Sequence, residues 1–294
     1  MTKAPIKIAV HNGVFHADEV FAIAILRMIY PDVELIRTRD EMELASADFR
    51  IDVGGVCCPE TGDYDHHLVE GAGFRENGIP YASCGLIWYY FGMKLVQSEY
   101  QFNHIGQKII QSIDAVDNGF SNGEEHLDFK MFNVSDIIDS CNPSWYRDDL
   151  TEDAAFNNAV NFAVIILENE IRKAIGFETA KDFVNDAIKN AVDDRYIVLD
   201  KYCPWQYIVN ENSRILYVVF PSTTGDWLVR TVPKKSGSFN ARKPLPRKWA
   251  GTRTLDLTAI TGVLDAVFCH PACFIAGAKT KEGAIKLTEL ALND

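Results

Sequence analysis

A chain of 294 residues is long for one average globular domain and comfortable for two, each able to bury its own core. With 47% hydrophobic and 24% charged residues, the composition excludes the disordered and fibrous classes. A formal net charge of −12 excludes a surface that binds nucleic acid everywhere, so any contact with a polyanion has to be local.

The start, "IKIAVHNG", predicts a strand ending in a turn, and "ADEVFAIAILRMIYP" predicts a helix with acidic residues in its first turn and Pro31 stopping it. "VELIRTR" and "FRIDVGG" read as further strands. Helical patterns follow at "SCGLIWYYFGMKLV" and "FNHIGQKIIQSIDAVDNG". Alternating strands and helices predict an α/β fold with a parallel sheet. From Thr151 to Val192 the spacing is helical, with Gly176 as a break point. Beyond it "YIVLD", "RILYVVFP", "DWLVRTVP", "DAVFC" and "CFIAGA" predict short strands, and "TKEGAIKLTELAL" a closing helix, which together make a second, smaller α+β domain. The expected division is residues 1–145, a helical connector at 146–192, and residues 193–294.

Apolar runs such as "VFAIAIL" are too short to span a bilayer, and the first residues lack a signal peptide's apolar core, so no membrane is expected and the cytoplasm is the default location. Seven scattered cysteines with no recurring CxxC pair predict reduced thiols rather than structural zinc. Between Pro233 and Arg253 there are seven basic residues and no acidic one. That run is either a solvated loop or a phosphate-binding patch, with Arg242 and Lys243 as cations and Phe239 and Trp249 available to stack on bases.

The potential metal ligands fall at the ends of apolar strands. His11 follows "IKIAV", with His16 and Asp18 across the next turn; Asp52 closes "FRI"; Asp65-His66-His67 sit in "GDYDHHLVEG"; Asp117 ends a helix. In an open parallel sheet such segments converge outside the carboxyl ends of the strands. Taken singly, each has a bland alternative as a cap, a turn residue or a hydrogen-bonded core histidine. Three or four imidazoles with three carboxylates suit borderline divalent cations such as Mn²⁺, with Mg²⁺ as the alternative. The set is too large for one ion and sufficient for two sharing a carboxylate about 3.5–4 Å apart, the arrangement used in phosphoryl hydrolysis. Asp63 has no place in the set and reads as a turn residue after Gly62.

In this order the residues resemble the DHH phosphoesterases, which include RecJ-type exonucleases and family II inorganic pyrophosphatases. More narrowly, "HNGVFHADEVFAIAILR", "IDVGG", "YDHH", "DAVDNG", "VVFPSTTGDWLVRTVP", "GSFNARKPLP" and "FIAGAKTKEGA" resemble the Myg family, over nearly the whole chain. Its eukaryotic members are described as metal-dependent 3′→5′ RNA exonucleases. The resemblance implies that residues 1–145 form a DHH-type catalytic domain and residues 193–294 a substrate-binding domain, with the active site in the cleft between them. It implies that His11, His16, Asp18, Asp52, His66 and Asp117 ligate two metals, that Asp52 bridges them, that His67 faces substrate phosphate, and that Asp65 orients a histidine. In "HPACFIAGAKTKEG" it implies phosphate binding by His270, the amides of Gly277 and Ala278, and Lys279; the alternative there is a turn that only caps a helix through Thr280. The chain departs from the family at Cys57-Cys58, where Tyr-Asp is usual, at Ala276, where a glycine is expected, and at Arg247-Lys248, often an acidic pair.

The expected function is therefore metal-dependent phosphodiester hydrolysis by a 3′→5′ exonuclease acting on RNA or short single strands. The alternatives are a small-molecule phosphoesterase acting on pyrophosphate or a dinucleotide, and a non-catalytic binding module stabilised by metal. Monomer and homodimer both stay open, as do nucleus and mitochondrion, where eukaryotic relatives are found.

Overall fold

The computed structural model describes residues 4–120, 132–146, 150–235, 238 and 240–294. Two compact units divide the chain, Met1–Ala174 and Ile175–Asp294.

The sheet of the first unit contains β1 (Ile6–Val10), β2 (Val33–Arg37), β3 (Phe49–Ile51), β4 (Cys57–Cys58) and β5 (Asp63–Tyr64), in the order β2-β1-β3-β5-β4. β1 is parallel to β2 and β3, and β3 is parallel to β5, as expected from the alternation of strands and helices. β4 is antiparallel to β5. Only residues 59–62 separate them, enough for a hairpin and too few for a crossover.

Between β1 and β2 runs α1 (Ala17–Ile29), whose residues Ala17 to Leu26 are all buried. Its end is set by Pro31: Tyr30 is extended, the conformation preferred before proline. α2 (Glu41–Ala45) is a single capped turn with Asp40 accepting from the amides of Met42 and Glu43. After β5 come α3 (Ser83–Phe91) and α4 (Glu99–Ile105), then a π-helical turn (Gly106–Ile110), α5 (Gln111–Asp117) and α6 (Val134–Asp139). The single helix predicted from Phe102 onward is thus three segments. α1 packs against α3, α5 and α6, so the helices that carry Asp18, Ser83 and Asp117 share one core.

α7 (Glu152–Lys189) is continuous, and the expected break at Gly176 does not occur. One glycine in a helix costs only about 1 kcal/mol relative to alanine, too little to interrupt 38 residues.

In the second unit, β6 (Tyr196–Val198), β7 (Tyr217–Pro221), β8 (Trp227–Thr231), β9 (Ala266–Cys269) and β10 (Ile275–Ala278) form a sheet in the order β6-β7-β8-β10-β9. Every strand expected from the sequence is present. α8 (Gln206–Asn210) and α9 (Thr254–Thr261) are additional, and α10 (Lys281–Asn293) closes the chain. One apolar cluster gathers Tyr217, Trp249 and Leu287; a second gathers Trp205 and Phe220 with Ala180 and Val184 of α7.

Candidate metal centre

β1, β3 and β5 lie side by side and parallel, with Val10 beside Ile51 and Ile51 beside Tyr64. The residues that follow, His11, Asp52 and Asp65, therefore leave the same edge of the sheet. β2 lies on one side of β1 and β3 on the other, so the strand order reverses here, where an open α/β sheet forms its crevice. Asp52 has φ 56°, a left-handed conformation that aspartate tolerates better than most residues. Gly54 and Gly55, at φ 99° and 67°, complete the turn and place the Gly55 N–H 2.7 Å from Asp65 Oδ2.

Asp52 presents its two oxygens to different histidines. Oδ2 lies 3.3 Å from His11 Nε2, and Oδ1 lies 3.4 Å from His66 Nε2 and 3.3 Å from His67 Nδ1. Ser83, first residue of α3, donates its hydroxyl to Oδ1 at 3.0 Å. His11 is oriented by its Nδ1, 3.1 Å from the Asn12 carbonyl, which turns Nε2 toward Glu19 Oε1 at 3.0 Å. His66 Nε2 also lies 3.0 Å from Asp117 Oδ2 and 3.7 Å from Asp18 Oδ2, yet has no aligned hydrogen bond among the described residues. His67 is different: its side chain is 65% exposed, and Asp65 Oδ1 holds both its Nδ1, at 2.9 Å, and its backbone N–H, at 3.0 Å.

Four overlapping trios bring ligand atoms within 4.8 Å of one another: His11, His16 and Glu19; Asp52, His66 and His67; His16, Asp18 and Asp117; Asp18, Glu19 and Asp52. The structure thus gathers His11, His16, Asp18, Asp52, His66 and Asp117. It adds Glu19, which sequence reasoning treated only as a first-turn charge. Glu19 reaches back to accept the His16 N–H at 2.8 Å, the position from which the third residue of a helix returns to its cap. Ser83 carries no sequence signal. Asp63 is not a turn residue: it lies in β5 and pairs with Arg50.

The electrostatics are those of a crowded acidic site. Burial disfavours charge on His11, but the Asp52 and Glu19 carboxylates outweigh it and push its pKa up to about 10. For His66, burial is likewise outweighed by Asp117 and Asp52, again to about 10. Asp52 pushes His67 up to about 9 against partial burial, with Asp65 adding. Asp52 resists its own burial and is held well below the usual carboxylate range by these three imidazoles. Asp18 moves the other way, since burial and then the charges of Asp52, Glu19 and Asp117 push it well above that range.

A divalent cation fits this donor set. Both oxygens of Asp18 and Glu19 Oε2 are buried with no hydrogen-bond partner among the described residues, which is costly for a carboxylate unless a cation completes it. Neutral imidazole nitrogens mixed with carboxylate oxygens are borderline ligands. The space beside them, about 800 Å³, is bordered by His16, His66, His67, Asp117, Ser135 and Asp139.

The family described as "Uncharacterised protein family (UPF0160)", MYG1_exonuc, matches residues 7–292. The chain belongs to the MYG1 family. The human protein named MYG1 exonuclease is 31% identical over 98% of this chain and 86% of its own length. The mouse MYG1 exonuclease is 30% identical over 98% and 85%, and the Saccharomyces cerevisiae MYG1 protein YER156C is 29% identical over 97% and 95%. No solved structure matches the chain.

In this MYG1-family chain the residues singled out in the second unit are engaged within that unit's own fold. Thr280 caps α10 by accepting the Gly283 N–H at 3.0 Å, and Asp265 accepts the N–H groups of Lys279, through its carbonyl, and of Thr280, through its carboxylate. Gly277 lies inside β10, paired with Leu228 on one side and Phe268 on the other, so its amide belongs to the ladder. His270 Nδ1 accepts the Ala272 N–H of its own turn at 3.0 Å. Arg242 donates to the carbonyls of Asn210, Asn212 and Ile215, and Lys243 to that of Leu292. Both cations are thereby committed to the fold rather than presented to a ligand. Trp249, 2% exposed, is a core residue and is not available for stacking. Phe239 lies outside the described residues. Among the described residues no helix is long and apolar enough to cross a membrane.

Proposed function

We propose that the chain is a divalent-metal-dependent phosphodiester hydrolase of DHH type, acting as a 3′→5′ exonuclease on RNA or short single strands. The observation that carries this reading is the meeting of His11, His66, Asp18, Glu19, Asp52 and Asp117 at the reversal point of the sheet, with buried carboxylate oxygens unpartnered among the described residues. The exonuclease names of the mammalian relatives favour the same chemistry.

His11, His16, Asp18, Asp52, His66 and Asp117 would hold two ions, most suitably Mn²⁺, with Asp52 shared and Glu19 beside it. Such ions supply positive charge for phosphoryl oxygens and lower the pKa of water. Ser83 fixes Asp52, and the Asn12 carbonyl fixes the His11 ring so that Nε2 faces the cluster. Asp65 holds His67 with Nε2 free to meet a phosphate oxygen, where the ring can donate a proton to the leaving oxygen. Lys279 and His270, carried by the second unit, are proposed as further phosphate contacts.

The test is incubation of the purified chain and an Asp52→Ala/His66→Ala variant with Mn²⁺ and end-labelled RNA, single-stranded DNA, a dinucleotide or pyrophosphate. Stepwise shortening of RNA from its 3′ end by wild type alone is expected. Equal product from both proteins, or none from either, contradicts the proposal.

A further inference from the structure

We propose that a cleft on the first unit, bordered by Arg75, Tyr81, Tyr89, Asn103, Gln107 and Gln111, is a nucleobase-binding subsite. The inference rests on the hydrolase reading only in taking that base from the strand being cleaved. The cleft has a volume of about 620 Å³ and is separate from the space beside the metal centre.

Its chemistry matches a base. Planar surfaces come from Tyr81 and Tyr89, whose ring centres are 6.0 Å apart, and Tyr89 leaves 60% of its surface exposed. Aromatic faces stack on any base and tolerate all sequences. Hydrogen-bonding edges come from Asn103, Gln107 and Gln111, spaced four residues apart through α4, the π-helical turn and α5, so their amides form a row along one face. Each amide offers both donors and acceptors, as the edge of a base does.

Charge argues for a base rather than a phosphate. Arg75, the one cation bordering the cleft among the described residues, is paired with Asp114 and lies 4.4 Å from the Tyr81 ring centre. Its charge is thereby neutralised, and Glu76 also borders the cleft. Arg75 Nη1 is buried without a hydrogen-bond partner among the described residues, a donor suited to the carbonyl or ring nitrogen of a base.

The cleft and the metal centre are built from some of the same helices, α3 and α5. Gly85, which borders it, lies two residues after Ser83, the partner of Asp52. Asp114 precedes Asp117 by one turn of α5, and Arg75 follows His67 by eight residues. On this proposal the base lodged against Tyr89 belongs to a strand whose phosphate meets His67.

The test compares the full chain with Tyr89→Ala and Gln107→Trp, both changes at exposed positions. Binding of a labelled single-stranded oligonucleotide is measured in chelator, where no hydrolysis occurs, beside an abasic strand of equal length. Each variant is expected to weaken binding of the normal strand by about tenfold or more and to leave the abasic strand unaffected. Competition by free adenosine or uridine would show that a base alone suffices; competition only by intact strands would assign the subsite to a base in the substrate. Equal binding of normal and abasic strands by wild type, or unchanged binding of the normal strand by both variants, overturns the proposal. Hydrolysis of bis(p-nitrophenyl) phosphate with Mn²⁺ reads the metal centre separately. Its failure in wild type would count against the hydrolase reading and not against the subsite.

Discussion

Asp18 is fully buried, neither of its oxygens has a hydrogen-bond partner among the described residues, and Asp52, Glu19 and Asp117 surround it with negative charge. The raised pKa values of Asp18, His11 and His66 favour their protonated forms in the protein alone, and a divalent cation would replace those protons. His11 and His66 rise from 6.5 to about 10, so their contribution to stability is complete below pH 6.5 and is lost as pH rises through 10. The raised pKa of Asp18 works in the same direction, its contribution shrinking as pH rises above its ordinary value. Chelator-treated protein is therefore expected to melt at lower temperature at pH 9 than at pH 6.5, and Mn²⁺ to oppose the loss, since ligation needs neutral imidazole. Parallel thermal melts with and without Mn²⁺ check this; identical pH profiles would contradict it. Ser83→Ala removes the hydroxyl that fixes Asp52 and is expected to weaken Mn²⁺ binding by roughly 10- to 100-fold, in line with other partners of metal ligands. A metal titration that matches wild type would count against that role. Most of this site was legible from residue types at strand ends. Glu19 was not, because a first-turn carboxylate looks the same in sequence whether it faces water or folds back toward His11. Asp63 was misread because its partner, Arg50, comes from the neighbouring strand.

At the scale of elements, close packing decides what glycines can become. Gly85 meets the Asp114 carboxylate and the Tyr81 ring so closely that a Cβ there would collide with both. Gly85→Ala is expected to destabilise the first unit by about 1–3 kcal/mol in denaturant titration, the range for overpacking. Gly176 is the opposite case: a Cβ would meet no atom within 4 Å, and the helix around it is continuous. Gly176→Ala is expected to stabilise the chain by roughly 0.5–1 kcal/mol, where a true break would make it neutral or harmful. The sequence pointed to that break because glycine is a poor helix former, and propensity at one position gave way to the regular spacing on either side. The π-helical turn was not legible either. Helical periodicity runs through Gly106–Ile110 with too small a phase change to reveal it.

Across the whole molecule, strand and helix alternation indicated the parallel pairing of β1, β2, β3 and β5 and a second α+β unit, but not the antiparallel β4 that makes the first sheet mixed. The basic segment was the part that composition could not resolve. A run of cations in sequence does not show which are held by backbone carbonyls, as Arg242 and Lys243 are, or by a carboxylate, as Lys248 is by Asp294. With those charges engaged and a net charge of −12, strand binding is expected to involve few ionic contacts. The slope of log affinity against log salt for a single-stranded oligonucleotide should then lie near −1 to −2, at about 0.7 per phosphate contact. The central claim is that the strand-end cluster is a metal centre, and calorimetric titration of Mn²⁺ into chelator-treated protein tests it most directly. Saturable binding of about two ions per chain is expected, as in a two-metal hydrolase, with at least one lost in Asp52→Ala. No saturable binding, or the same binding by Asp52→Ala as by wild type, would contradict it.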